Sequence, residues 1–379
     1  MLEHIIMKSE IELVVSERIS KYGIISFSEY MEILLFHNPY GYYNSRDIFG
    51  RKGDFITSPI ISSLFGASIA NEFINLYDSI TEPEILEIGA GDGSLVISIM
   101  EHLYSKKSLP KTFYIIETSE KLIELQKINI MNKIPKLSHI VKWVKCKEIE
   151  RMNGLIVCNE FFDVLPTERF KIQNDKFLQL FIGNQGGFRM LWEDKTDKFT
   201  ETFKNLKCYD TLSNYDNYES EVNFNYEIWA NNISNMLKTG VVFIVDYGYN
   251  MKEYFLPDRK NGTLVCIHNH QANFDPLQNI GLQDISSFVN FSHLAHIFKR
   301  LKFEVSGYLE QSKFLINLGI LDIFEERVFS DEEKVIEINK LKNLVLSNAM
   351  GDIFKALIIT KNYSNPLLAS KNFNRKDIL

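Results

Sequence analysis

The sequence predicts an α/β fold: a mostly parallel sheet whose strands are joined by crossover helices, preceded by a helical N-terminal extension. Three observations lead there. From Glu82 onward, short apolar runs alternate with helical stretches: 85–88 then 93–104, 113–116 then 119–131, with further runs at 140–144, 155–158 and 241–245. Parallel neighbours can be joined only by long crossovers, so this alternation implies a parallel sheet. The first run ends in "ILEIGAGDGSL", a glycine-rich turn from strand to helix. Near the C-terminus "FEVSGYLEQ" and "IFKALIIT" supply two more strands, read as an antiparallel end to the sheet.

The N-terminal extension reads as helix over 9–36, in two pieces. Ile11, Val14, Val15 and Ile19 recur at helical spacing in the first. Ser26 is the expected N-cap of the second, with Glu29 completing a capping box. Residues 37–60 hold three glycines and two prolines among aromatics and charges. Such a long aromatic loop is read as functional. Helix resumes after Ser62. The expected organisation is therefore a helical segment and aromatic loop over 1–80, then a main domain over 81–379. Insertions are expected at about 170–235 and 255–330. Within the first, 169–192 alternates like a β-ribbon around "GNQGG", and 196–225, rich in Asn, Asp, Tyr and Lys, reads as a surface insertion. The tail "KNFNRKDIL" is expected to fray.

Composition narrows the class. The chain has 379 residues, 45% of them hydrophobic, and a mean hydropathy of -0.11. That suits a large α/β domain with additions, or two domains. A net charge of -7 argues against a general nucleic-acid binder, whose affinity comes largely from neutralising phosphate. No apolar run approaches the roughly 20 residues that span a bilayer. The start, "MLEHIIMKSEIELVVSERI", carries acids among its apolar residues and lacks a signal-peptide core. Cys146, Cys158, Cys208 and Cys266 form no C-x-x-C pair. They read as reduced thiols of a cytoplasmic protein, with no metal site expected.

The glycine turn suggests the ligand. Glu87, Gly89, Gly91 and Gly93 fall at E-x-G-x-G-x-G spacing. A dinucleotide fingerprint would read G-x-G-x-x-G, with pyrophosphate at the helix N-terminus. Here the third glycine arrives one residue early, and Glu87 places an acid where pyrophosphate is disfavoured. A ligand with an ammonium and no phosphate fits better, and S-adenosyl-L-methionine is such a ligand. The plain alternative is a tight turn with no ligand. Glu117 ends the second strand run, where an acid can accept hydrogen bonds from both ribose hydroxyls.

The fourth run opens into "VCNEFFDVLPTERF". Ligands of open α/β sheets bind at the carboxyl ends of strands, so Asn159, Glu160 and Asp163 would line the cleft. Paired carboxylates suit a guanidinium, a planar donor fork that stays cationic. Phe161 and Phe162 would wall the site. The plain alternative makes Asp163 a helix cap and the two phenylalanines core. Asp246 and Tyr247, ending the fifth run, are candidates for the border of the substrate entry.

These residues make the chain resemble the MidA-like family of S-adenosylmethionine-dependent methyltransferases. The resemblance rests on "YGYYNSRDIFGRKGDFITSP" (40–59), "LEIGAGDGSL" (86–95), "IIETSEKLIELQ" (115–126), "NEFFDVLPTERF" (159–170), "VDYGY" (245–249), "GTL" (262–264) and "MGDIFKALI" (350–358). It implies a Rossmann-like, seven-stranded class I methyltransferase sheet with an N-terminal extension and inserted segments. It implies that Gly89, Gly91, Gly93 and Glu117 hold the cofactor, and that a lid contributes Asp54, Thr57 and Ser58. Mitochondrial members of the family help assemble respiratory complex I by dimethylating an arginine of one subunit. A protein substrate, a complex I subunit among the candidates, is implied here too; the oligomeric state is open, with a homodimer as one option. The chain departs from the family pattern at Ile60, at Gly66-Ala67, and at Phe288 and Asn290, where the family has His and Asp. His268 and His270 remain from a basic stretch, and His268 is a candidate proton acceptor. Two rival functions stay open: N-methylation of a nucleobase, since "NEFFD" occupies the position of an Asn/Asp-Pro-Pro-aromatic tetrad, and a non-catalytic assembly factor that binds the cofactor structurally.

Overall fold

The computed structural model describes residues 2–45, 57–194, 197–347 and 350–379. Among them, seven strands follow one another across a central sheet: β1 (Glu84–Ile88), β2 (Phe113–Ile116), β3 (Val141–Trp143), β4 (Met152–Asn159), β5 (Leu237–Tyr249), β6 (Glu304–Glu310) and β7 (Phe354–Lys361). Their spatial order is β6-β7-β5-β4-β1-β2-β3. β7 runs antiparallel to both neighbours, while β5, β4, β1, β2 and β3 run parallel. The two-residue strand Val289–Asn290 adds an eighth member beside the end of β5. Helices Ser94–Ser105 and Glu120–Lys133 are the expected crossovers after β1 and β2. The chain leaves β1 toward β2 on one side and returns on the other as β4. That reversal of strand order opens a crevice at the carboxyl ends of β1 and β4.

Both faces of the sheet are covered, which is why its strands read as continuous apolar runs. Leu155, Val157, Phe243 and Val245 bury on one face with Leu64, Phe73 and Ile99. Their neighbours Ile156, Cys158, Val242 and Ile244 bury on the other with Tyr226, Ile233 and Phe298. Successive side chains point to opposite faces, so one apolar run serves two cores.

Close strand approach at one point requires glycine. Gly240 pairs with Gly154, and Gly154 in turn with Glu84. A Cβ on Gly154 would lie 2.1 Å from the Glu84 carbonyl oxygen, and one on Gly240 1.9 Å from that of Gly154.

The N-terminal extension joins the first insertion. The insertion is an antiparallel meander, Glu168–Gln173, Lys176–Asn184 and Phe188–Asp194, with Tyr218–Val222 along its other edge. The short strand Ile25–Ser26 pairs with Lys176–Asn184, and Ile11, Val15, Leu34 and Leu35 pack with Leu180, Ile182 and Cys266. Ser26 caps the helix Phe27–Phe36 as expected. The Glu29 carboxylate, however, pairs with Arg18.

Three expectations need correction. The stretch 196–225 is more than a polar surface insertion. Phe199, Phe203 and Leu212 form an aromatic core with Phe170, Phe177 and Tyr218. A few apolar residues at helical spacing do this, hidden in a polar composition. The stretch 255–330 is only partly inserted: it holds the small sheet Val265–His268, Gln271–Asn273 and Asp284–Ser286, but also β6 of the central sheet. The C-terminal tail is tied down. Asn317 Nδ2 donates to the Asn372 carbonyl at 2.8 Å, and Arg375 N–H donates to the Tyr308 carbonyl at 2.8 Å. Among the described residues no helix is long and apolar enough to cross a membrane.

Because backbone must move to admit a methyl group at this crossing, Gly154→Ala is expected to cost about 2–3 kcal/mol or more. Urea unfolding measures this; a midpoint unchanged from wild type would contradict the close approach.

Candidate active site

A cavity of about 630 Å3 lies where β1, β2, β4 and β5 end. Its size is that of a small-molecule site. A larger cleft of about 900 Å3 beside the helix Tyr209–Ser213 contains none of the predicted residues.

The glycine turn forms one end of the cavity. Gly89, Gly91 and Gly93 have φ of +75°, +54° and +85°, a left-handed region that residues with a Cβ avoid. Gly89 and Gly91 line the wall. Gln126 steadies the turn: its Nε2 donates to the Gly91 carbonyl at 2.9 Å and to Glu117 at 3.3 Å. Its Oε1 accepts from Trp143 Nε1 at 2.8 Å. The sequence reading missed Gln126. Its place midway between Leu122 and Ile130, four residues from each on the one buried stripe of the helix, was the available signal.

Glu117 stands on the wall at the end of β2. Its Oε1 accepts N–H bonds from Thr118 and Ser119 at 2.7 and 3.0 Å. Burial raises its pKa, and these bonds oppose the rise. Glu87 lies beneath the turn, away from the wall. It is 2% exposed, its Oε2 has no partner, and burial pushes it up to about 8.

The opposite end is built from the exits of β4 and β5. Glu160 has φ of +48° without being glycine, the kind of strain that collects at functional sites. Its N–H donates to the Val245 carbonyl at 2.9 Å. Its Oε1 accepts from Asn159 Nδ2 at 3.2 Å and from Ser58 N–H at 3.3 Å. The Asp163 carboxylate accepts from the Tyr247 hydroxyl. Asp246 Oδ2 accepts from the N–H groups of Phe162 and Asp163 at 3.0 and 3.3 Å. Glu160 and Asp163 line the cavity and Asp246 lies behind them.

Burial is the main cause of their electrostatics. It pushes Glu160 up to about 8 and Asp163 up to about 6. Asp246 is raised well above the usual range by burial and by repulsion from the other two. Among the described residues, no lysine, arginine or histidine forms an ion pair with any of the three. The wall between the two ends is aromatic and apolar. Phe161 meets Trp229 edge-on at 4.7 Å, with Val164, Leu165, Ile267 and Phe288 nearby on the lining. Phe162 is fully buried core.

The remaining predicted residues divide. Thr57 lines the cavity. Ser58 is buried behind Glu160, its hydroxyl donating to Gln311 Oε1 at 3.2 Å. Asn159 holds Glu160 without lining the cavity. Asp54, like the rest of 46–56, lies outside the described residues. His268 is a correction. Val265 and Ile267 face the cavity, so strand alternation turns His268 away. Its Nδ1 donates to the Leu282 carbonyl at 2.6 Å and its Nε2 accepts from Asn269 at 3.0 Å. Neither nitrogen is left for a substrate proton. Asn290 caps the helix Phe291–Arg300 through the His293 N–H at 3.0 Å, a role open to Asp as well. Sequence reasoning also missed Glu32, Phe36, Tyr43 and Asn44, which the N-terminal extension brings to the wall.

Residues 68–309 match the profile of a family of S-adenosyl-L-methionine-dependent methyltransferases. The chain belongs to that family. It is 27% identical over 334 residues to the protein arginine methyltransferase NDUFAF7, mitochondrial, of Mus musculus, a match covering 80% of this chain and 72% of the mouse protein. The Caenorhabditis elegans homolog is 25% identical over 368 residues, covering 90% and 84%. A crystal structure from Burkholderia thailandensis, bound to S-adenosyl-homocysteine, superposes with a TM-score of 0.91 at 26% identity, covering 100% of this chain and 98% of that one. The MidA-like resemblance, the fold and the cofactor expected from the sequence therefore hold, and the protein is a methyltransferase. The site fits S-adenosyl-L-methionine on its own chemistry. It offers bare backbone at Gly89 and Gly91 and a carboxylate at the end of β2, whereas Glu87, expected at the cofactor, lies behind the turn. Among the described residues lining it there is no lysine or arginine to meet a phosphate.

A β-branched side chain at a left-handed position strains the turn and fills the cradle. Gly91→Val is therefore expected to weaken S-adenosyl-homocysteine binding by about 10²-fold or more, read by calorimetry. Stability should also report the buried acids. Glu87 and Glu160 sit at about 8 when folded, against an ordinary 4.5. Their contribution is full below about 4.5 and is lost as pH rises through about 8. The melting temperature of the ligand-free protein should fall over that window, and Glu87→Gln or Glu160→Gln should flatten the slope. Variant and wild-type slopes that coincide would count against the burial of these groups.

Proposed function

We propose that this methyltransferase acts on the guanidinium of an arginine side chain in a protein. One observation carries the reading: three carboxylates from two strand ends, Asp163 and Asp246 buried and Glu160 half-buried, share a site where, among the described residues, no cation pairs with them. Burying negative charge without a partner is costly, and a cation arriving from outside removes that cost. A guanidinium stays charged at any working pH and offers paired donors to carboxylates. The mouse and nematode relatives are named as protein arginine methyltransferases, which supports the same reading. By the family resemblance the target is a protein of respiratory complex I, or another partner in the same cytoplasmic compartment.

Bound cofactor supplies a methyl group activated by its sulfonium. The chain supplies the rest. Glu160 and Asp163 hold the guanidinium and draw its charge away from the attacking nitrogen. Phe161, Trp229, Val164 and Leu165 exclude water. As the N–CH3 bond forms and the S–CH3 bond breaks, the electron pair stays on sulfur and the nitrogen sheds one proton. A carboxylate poised near pH 8, such as Glu160, can accept that proton and pass it to solvent. The cation is held by ionised carboxylates, so substrate affinity should rise as pH increases from about 6 to about 8.

The test is to incubate the enzyme with methyl-labelled S-adenosyl-L-methionine and cell lysate, digest the products and locate the label. Label on arginine is expected, and Glu160→Gln should reduce transfer by about 10²-fold or more. Label on nucleic acid, or cofactor binding without any transfer, would overturn the proposal.

A further inference from the structure

We infer that Tyr247 is a positioning residue that aims the Asp163 carboxylate at the substrate nitrogen and holds it in its charged form, with Ser286 fixing the phenol. The inference rests on the reading that Asp163 meets the substrate cation. It adds a residue whose contribution passes through another side chain.

The geometry is specific. Tyr247 lines the cavity near the end of β5, and its hydroxyl donates to Asp163 Oδ2. The same hydroxyl lies 2.8 Å from Ser286 Oγ. A phenol has one proton and can also accept, so Ser286 can donate to Tyr247 while Tyr247 donates to the carboxylate. The ring cannot swing away. Phe288 and Phe354 meet it nearly edge-on, at centroid distances of 5.0 and 5.5 Å. The Asp163 backbone is held separately, through its N–H to Asp246 and its carbonyl, which accepts from Ser287 N–H at 3.0 Å. The phenol therefore decides where the side chain points. It occupies Oδ2, while the buried Oδ1 makes no hydrogen bond.

The charge on Asp163 follows from the same bond. Burial disfavours its ionisation, and its charge in turn raises Glu160 and Asp246. The phenols of Tyr43 and Tyr226 also sense it, and burial keeps both neutral. The Tyr247 bond opposes the effect of burial on Asp163. Tyr247 itself is pushed well above the usual phenol range, so it remains a donor throughout the working range of pH. Donation to a carboxylate favours the charged form. Without it, Asp163 should hold its proton to higher pH.

Steady-state methyl transfer to a protein substrate, measured from pH 5.5 to 9, tests this with the full-length enzyme. Y247F is expected to lower kcat by about 10- to 100-fold, to leave the KM for S-adenosyl-L-methionine unchanged, and to move the acidic midpoint of kcat upward by about one pH unit. S286A should move it the same way by less. An unmoved midpoint in Y247F, even with slower turnover, would reduce Tyr247 to packing and overturn the inference. D163N separates the two readings: if it keeps wild-type kcat, the assignment of the site fails, whereas a dead D163N beside an unmoved Y247F sinks only the role of Tyr247. Carboxyl-carbon NMR of Asp163 in wild type and Y247F needs no turnover. Its midpoint should rise in the variant, and an identical titration would overturn the inference.

Discussion

The carboxylate of Asp246 ties the exit of β4 to the exit of β5. It is fully buried and accepts from the backbone N–H groups of Phe162, Asp163 and Tyr247. Those bonds hold the turn that carries Glu160 in a left-handed conformation and presents Asp163 to the cavity. An acid in this place costs desolvation energy, and the three amides offset part of it. The geometry of the substrate end depends on that arrangement, because the turn has no helix or ladder of its own to keep it in shape.

The two ends of the cavity use acids in different ways. At the glycine end, Glu117 is ringed by donors and Gln126 locks it to the turn, so it is a fixed acceptor. At the far end, Glu160, Asp163 and Asp246 are crowded together, and burial raises the pKa of each. A cavity lined this way favours positively charged ligands and disfavours phosphate-bearing ones, consistent with a sulfonium donor. Apolar and aromatic side chains between the ends lower the local dielectric and strengthen both effects.

Additions to the central sheet complete the enclosure. The helix Phe27–Phe36 brings Glu32 and Phe36 to the rim, and the small sheet of 265–286 brings Val265 and Ile267. Both additions share one apolar core, in which Leu34 and Leu35 pack with Cys266 and Ile285. A change at that shared core should therefore be felt at the mouth of the cavity without touching the sheet that carries the chemistry.

Much of the fold was legible in the chain because its signals are local. Apolar runs of four to eight residues, the glycines after β1 and the cap at Ser26 depend on neighbours in sequence, and each element formed close to where it was expected. The residue types of the cofactor end were legible for the same reason. What the chain could not disclose depends on partners distant in sequence. Gln126 acts through Trp143 and Gly91, Ser58 turned out to stand behind Glu160, and the tail is held by Asn317 and Tyr308, distant in sequence. His268 illustrates the limit best. Its chemistry suits a proton acceptor, but strand alternation and two hydrogen bonds commit it elsewhere. By itself the sequence determined the strand order's raw material and the acids available at the strand ends. Only the tertiary structure decided which acids share a cavity and which donor holds each one, because burial and hydrogen bonding arise from packing that local patterns do not encode.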